Sequence, residues 1–133
     1  MILKNFKDFE QIDENYKLSK IAKRDDFNGY EILIGRSAEM NDILTTEIAK
    51  EDDIWLHASG VPGSHIVVRK EEGEDVPSEV IHHAAELAAK NSKGSGKIRV
   101  IWTKAKYVTK DRKQKLGEVS VNYDKSHFIN INI

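Results

Sequence analysis

The 133-residue sequence has no cysteine, only two prolines and no long run of apolar residues. Without cysteine the chain has no disulfides, thiolate metal sites or cysteine nucleophiles, so any metal would need histidine and carboxylate ligands. The apolar runs are only a few residues long, far short of the roughly 20 residues that cross a bilayer, and no apolar signal segment follows Met1. These absences predict a cytoplasmic protein, and the length suits one domain.

Charge is distributed unevenly along the chain, although the net charge is only -1. Residues 1–89 contain ten Lys or Arg against nineteen Asp or Glu, whereas residues 90–115 contain ten Lys or Arg against Asp111 alone. A basic segment beside an acidic body attracts a polyanion locally. The alternative is an ordinary solvated loop rich in lysine, and charge counts alone leave both open.

Hydrophobic periodicity predicts a mostly β chain with one long helix. Alternation and turn residues indicate a hairpin over residues 16–34, a second hairpin from strands 54–58 and 65–70, and strands at 98–103, 107–108, 119–121 and 128–133. Asn41 or Asp42 is expected to cap a short helix, and Pro77 to begin the long one. The expected fold class is α+β: an antiparallel or mixed sheet covered by one long helix, plus a short helix.

Polar and aromatic side chains concentrate in residues 53–69, around a Gly-Val-Pro-Gly turn. By strand alternation Asp53, Trp55 and His57 share one face, opposite the apolar residues between them. A carboxylate, an indole and an imidazole together suit stacking on a nucleobase and hydrogen bonding to its edge. The same pattern is equally typical of a cluster locked under a loop, so both interpretations stay open.

Two other chemistries compete for the same residues. The imidazoles of His57 and His65 are expected to meet on one face near Asp53, which makes a two-histidine, one-carboxylate metal site conceivable, but the spacing matches no metal signature. Alternatively, Asp53 orients His57 while His65 satisfies a turn carbonyl. Ser64 beside His65 suggests an activated nucleophile, yet successive strand residues point to opposite faces. A metal-dependent hydrolase and a protein-docking module remain alternatives to nucleic-acid binding.

A longer ordered pattern resembles the NFACT-R family. It contains Asp53-Ile54-Trp55-Leu56-His57-Ala58 followed by Pro62-Gly63-Ser64-His65, and it extends to Gly35-Arg36, Asn41-Asp42, Leu44-Thr45, Val67, Arg69, Pro77, Ala84-Ala85, Ala88-Ala89 and Ser92-Lys93. The likeness covers a domain over residues 16–133. It leaves residues 1–15, whose apolar residues have helical spacing, as an N-terminal extension.

The resemblance implies a non-enzymatic RNA-binding domain with no metal, cofactor or membrane partner. The implied ligand is tRNA or rRNA, with the large ribosomal subunit as a further candidate partner and a role in translation and ribosome quality control. It does not by itself imply the tail elongation carried out by larger family members. The expected recognition residues are Arg36, Asn41, Asp42, Asp53, Trp55, His57, Ser64, His65 and Arg69, and the expected phosphate contacts are Lys93, Lys97, Lys104, Lys106 and Lys110.

Overall fold

The structure, a computed structural model, describes residues 17–133, so the predicted extension over residues 1–15 lies outside the described residues. It has eight strands: β1 Ala22–Phe27, β2 Tyr30–Gly35, β3 Ile54–Ala58, β4 Ile66–Val68, β5 Lys97–Lys104, β6 Val108–Thr109, β7 Ser120–Val121 and β8 His127–Asn132. Six of them form an antiparallel sheet in the order β1-β2-β4-β3-β5-β8, and β6 pairs with β7 as a separate ribbon. This arrangement confirms the predicted second hairpin, in which β3 pairs with β4.

The 13-residue helix Ser78–Lys90 covers one face of the sheet. Its buried side chains are Val80 and Ile81 in the first turn, followed by small ones, the alanines at positions 84, 85, 88 and 89. They pack against apolar residues from β2, β3, β4, β5 and β8. Pro77 precedes the first turn, where its missing N–H leaves no bond unmade. A mainly antiparallel sheet with this helix on it confirms the predicted α+β class.

A second layer covers the opposite face of the sheet, which the sequence did not predict. It consists of helical residues 17–21, the short helix Ala38–Ile43 with its π-helical continuation Leu44–Ile48, and the β6–β7 ribbon. Leu33, Trp55 and Val67 point into this layer and are at most 1% exposed. The sheet is therefore buried on both faces, and side chains expected on an open surface lie inside.

Two element boundaries differ from the prediction. The first hairpin begins only at Ala22, and residues 17–21 are helical instead of extended. Leu18 and Ile21 pack into the same core cluster three residues apart, a spacing that suits a helix and not a strand. The short helix is capped by Ser37, whose hydroxyl accepts from the Met40 N–H at 3.2 Å, and not by Asn41 or Asp42, which lie inside the helix.

A larger side chain between the 13-residue helix and the sheet should destabilise the fold. Ala85→Leu adds atoms at a position that is 0% exposed, so we expect the free energy of unfolding to fall by about 1–3 kcal/mol. His82→Leu, at an exposed position on the same helix, is the matched control and should change it by less than about 0.5 kcal/mol. Urea unfolding followed by tryptophan fluorescence measures both. An Ala85→Leu protein as stable as the wild type would contradict the close packing.

Candidate nucleic-acid interface

A cleft of about 790 Å³ opens at the end of the sheet where β2 and β3 finish. Its walls are the start of the short helix, the β3–β4 loop, the residues after the 13-residue helix and the loop before β7. Arg36, Lys93 and Lys115 line it, with Glu118 as the acid among the lining residues, and His57 faces it from β3. The cleft therefore surrounds an imidazole with positive charge.

A close backbone approach fixes one wall of the cleft. Gly63 forms an isolated β-bridge with Ser92, and a Cβ at position 63 would lie 2.9 Å from the Ser92 Cα. The Lys93 N–H donates to the Pro62 carbonyl at 2.8 Å. The β3–β4 loop is thus tied to the end of the helix, and this contact places Lys93 in the wall.

Asn41 and Ser64 direct their polar atoms into the scaffold of the cleft. Asn41 Oδ1 accepts from the His65 N–H at 3.0 Å, and its Nδ2 donates to the Gly63 carbonyl at 3.2 Å. Ser64 Oγ donates to the Gly35 carbonyl at 2.8 Å. A Cβ at Gly35 would lie 1.9 Å from Asn41 Oδ1, so this site requires glycine. These two predicted contact residues line the cleft while also holding its walls together.

A buried chain of hydrogen bonds lies beneath the cleft. Trp55 Nε1 donates to Thr45 Oγ1 at 3.0 Å, Thr45 Oγ1 lies 2.7 Å from His65 Nδ1, and His65 Nε2 lies 3.0 Å from the Gly117 carbonyl oxygen. A carbonyl only accepts, so the His65 proton is on Nε2 and Nδ1 accepts from the Thr45 hydroxyl. The chain fixes one tautomer of His65, and the predicted bond from His65 to a loop carbonyl is confirmed.

Burial keeps the two imidazoles neutral at pH 7. The pKa of His65 is lowered to about 4, first by burial and then by the neighbouring His57, although its hydrogen bond to the Gly117 carbonyl raises it. Burial likewise lowers the pKa of His57. Their ring centroids are 5.1 Å apart, so the predicted meeting of the two rings is confirmed. The positive charge of the cleft therefore comes from arginine and lysine.

Trp55 does not offer a face to a nucleobase. Its indole is 1% exposed and stacks on His57 with centroids 5.9 Å apart, because the second layer covers this side of the sheet. Asp53 is also 1% exposed, and its carboxylate accepts from the N–H groups of Lys50 at 2.9 Å and Lys70 at 3.2 Å instead of orienting His57. The expectation of an open indole is wrong, and the cluster is locked under a covering layer.

Three predicted cationic contacts lie at the opposite end of the sheet. Arg69 Nε is 3.8 Å from the Asp53 carboxylate, and Lys104 Nζ is 2.9 Å from Asp52 Oδ1. Lys106 Nζ lies 5.3 Å from the centroid of the neighbouring tyrosine ring. The pocket at this end also contains the acids Glu51, Glu72, Glu74 and Asp75. These cations lie outside the cleft, at the other end of the sheet. Acids that are distant from them in sequence lie nearby.

Lys110 and Asp42 fix the loop that closes the cleft. Lys110 Nζ lies 3.2 Å from Asp42 Oδ2 and donates to the carbonyls of Lys115 and, at 2.8 Å, Glu118. Asp42 Oδ1 accepts from the Gly117 N–H at 3.1 Å. An ammonium has three donors, and three acceptors of the protein take them. Lys110 is thus a residue that positions the loop, where the sequence predicted a phosphate contact.

Five of the predicted residues therefore line the cleft, and so does a further lysine, Lys115. The five are Arg36, Asn41, His57, Ser64 and Lys93. Lys97 is exposed at the same end of the sheet, at the start of β5. Lys115 of the basic segment also lines the cleft, and the sequence does not single it out as a site residue, because charge alone does not distinguish one lysine of a run from another. Among residues 17–133 no three His, Asp or Glu side chains are grouped as a metal would require.

Comparison with known proteins places this chain among similar domains. A sequence model of the family described as NFACT protein RNA binding domain matches residues 20–123. The Rqc2 homolog RqcH of Bacillus subtilis is 38% identical over 104 residues, which are 77% of this chain and 17% of that protein. The archaeal Rqc2 homolog aRqcH of Methanocaldococcus jannaschii is 29% identical over 87 residues, 62% of this chain and 13% of that protein. The chain thus spans a small part of these relatives.

A solved structure has the same fold. It is that of the C-terminal of the fibronectin/fibrinogen-binding protein from Streptococcus suis, with a TM-score of 0.74 and 32% sequence identity. The match covers 84% of this chain and 44% of that one. No helix within residues 17–133 is long and apolar enough to cross a membrane.

Acid should destabilise the protein through His65. Its pKa falls from an ordinary 6.5 to about 4 on folding, so the unfolded chain takes up the proton first as the pH drops. The contribution of this pKa shift to the free energy of unfolding is fully present above pH 6.5. It is lost progressively as the pH falls towards 4, by about 3 kcal/mol in all. Between pH 7.5 and about 4.5, we expect urea titrations to show the wild type losing about 2 kcal/mol more than His65→Gln.

Comparing the wild type with His65→Gln isolates the contribution of His65 to the pH dependence of stability. Carboxylates titrate in both, so their contributions cancel in the difference. His82→Gln replaces an exposed histidine and is the matched control for the substitution itself. Parallel losses of stability in the wild type and His65→Gln would show that burial does not keep His65 neutral.

Proposed function

Because the chain belongs to the family of NFACT RNA-binding domains, we propose that it binds RNA through the cleft between Arg36, Lys93 and Lys115. The observation that carries the proposal is the convergence of these cations, from three separate parts of the chain, around the neutral His57. Phosphates favour such a site because each one that is neutralised releases a condensed counterion. The His57 ring hydrogen-bonds to the Gly63 backbone, so this neutral imidazole adds one acceptor nitrogen for a donor group of a base or ribose.

The proposed ligand is tRNA or rRNA, in ribosome quality control in the cytoplasm. Support comes from the likeness to two Rqc2 homologues, over 104 residues of one and 87 residues of the other. Sequence-specific RNA recognition favours loops, bulges and ends, where bases and phosphates are exposed together. A cleft of about 790 Å³ is in the range of small-ligand pockets, so it suits a few nucleotides of an exposed loop better than the side of a duplex. The large ribosomal subunit is the wider partner that we propose.

We propose binding without a chemical step. Ser64 Oγ donates to the Gly35 carbonyl, and His65 Nδ1 accepts from the Thr45 hydroxyl, so neither side chain activates the other. Asp53 is occupied by two backbone N–H groups. Nothing in this geometry favours the hydrolase hypothesis over binding.

Removing one cation from the cleft should weaken RNA binding and reduce its salt dependence. With three phosphates neutralised, the logarithm of the association constant should fall with the logarithm of salt concentration at a slope of about -2, and Lys93→Ala or Lys115→Ala should make that slope shallower by about 0.7. Fluorescence anisotropy with labelled single-stranded RNA and with a tRNA transcript, over a series of salt concentrations, measures this.

Lys104→Ala is the matched control for this experiment. It removes a lysine of the same basic segment that lies at the opposite end of the sheet and is paired with Asp52. We expect its RNA affinity and its salt slope to equal those of the wild type. An equal loss in Lys104→Ala and Lys93→Ala would show that the cleft is not the binding site.

A further inference from the structure

Two exposed aromatic side chains lie against each other on the surface. Tyr123 is 66% exposed and Phe128 41% exposed, their ring centroids are 6.4 Å apart, and their planes differ by 11°. The guanidinium carbon of Arg99 lies 4.2 Å from the Phe128 ring centroid. Three planar groups are thus stacked together, and we call Arg99, Tyr123 and Phe128 the aromatic platform. Large apolar side chains are rarely exposed in the rest of residues 17–133, where only Leu116 and Ile133 join them.

The aromatic platform shares a face of the sheet with the cleft. His57 of β3 pairs with Ile101 of β5, and Ile101 pairs with Phe128 of β8. Residues directly opposite in neighbouring strands point to the same face. Two strand spacings, about 10 Å, separate His57 from Phe128. A single strand held in the cleft is therefore within reach of the platform.

The surroundings of the platform suit a polyanion. Neither β5 nor β8 contains an acidic residue. By alternation Lys97 lies on the same face of β5 as the platform, and its partner in register on β8 is Asn132. Lysines contact phosphates, while asparagines hydrogen-bond to base edges and sugars. In sequence, Asp124 in the turn after Tyr123 is the adjacent acid.

We infer that the aromatic platform stacks a base of the single-stranded RNA whose neighbouring phosphates lie in the cleft. This inference rests on the proposed RNA-binding function and extends it to a second contact site. Every base has a π-face, so stacking on rings and guanidinium groups tolerates any sequence. The platform supplies the open aromatic surface that the buried Trp55 does not. Phe128 lies beyond the family match, which ends at residue 123.

Phe128→Leu tests the inference, because leucine retains an apolar side chain but has no flat ring. We expect the affinity for a single-stranded RNA of about 12 nucleotides to fall about fivefold or more, and Phe128→Tyr to stay within about twofold of the wild type. Anisotropy of the labelled RNA at fixed salt measures both. The site is exposed, so both variants should fold, which circular dichroism and the thermal midpoint verify.

An abasic ribose-phosphate strand of the same length separates stacking from charge. Phe128→Leu should bind the abasic strand as the wild type does, whereas Lys93→Ala should bind both strands more weakly. If Phe128→Leu binds the base-containing strand as tightly as the wild type, the platform is refuted while the proposed function stands.

Three further outcomes also overturn the inference. If the wild type binds neither strand, the platform and the proposed function fail together. If Phe128→Leu changes the sedimentation of the protein but not its RNA affinity, the platform is a contact between copies of this chain. If Phe128→Leu lowers the affinity for the abasic strand as much as the affinity for the base-containing strand, the ring does not act by stacking on bases.

Discussion

The buried chain of hydrogen bonds from Trp55 through Thr45 and His65 to Gly117 is the constraint on which the cleft depends. It joins β3, the π-helical turn and the residue before β4 to the loop before β7, which lies about fifty residues further along the chain. Every buried side-chain nitrogen and oxygen in the described part of the chain has a partner, and a buried polar atom that loses its partner is costly. The walls of the cleft therefore take their positions from polar contacts in the core.

The sheet separates charge between its two ends. At one end cations converge on the cleft, while at the other Lys104 and Arg69 lie among acids. The basic segment of the sequence is thus not a basic face of the molecule, because acids from other segments pair with two of its lysines, Lys104 and Lys110. A protein with a net charge of -1 can still present a small cationic site, since the local potential and not the total governs the encounter with a polyanion.

Strand alternation and turn residues predicted the α+β class, most strands and the 13-residue helix, because those signals are local. The same alternation placed Trp55 and His57 on one face, but it could not show that a ribbon from much later in the chain covers that face. Nor could charge counts show that Asp42 would hold Lys110. Much of the cleft could be predicted only through the family resemblance, several of whose residues line it. Phe128 belongs to no recognisable motif, and only its exposure beside Tyr123 reveals it.

The tautomer of His65 also bears on coordination chemistry. A neutral imidazole has one nitrogen lone pair available, and in this ring it already accepts the Thr45 hydroxyl. To ligate a cation, the ring would have to surrender that bond and leave the hydroxyl without an acceptor in the core. The two imidazoles, with centroids 5.1 Å apart, look like a chelating pair. In His65, however, both ring nitrogens already have hydrogen-bond partners. An ion that entered the cleft would find in His57 the single imidazole ligand of the pair.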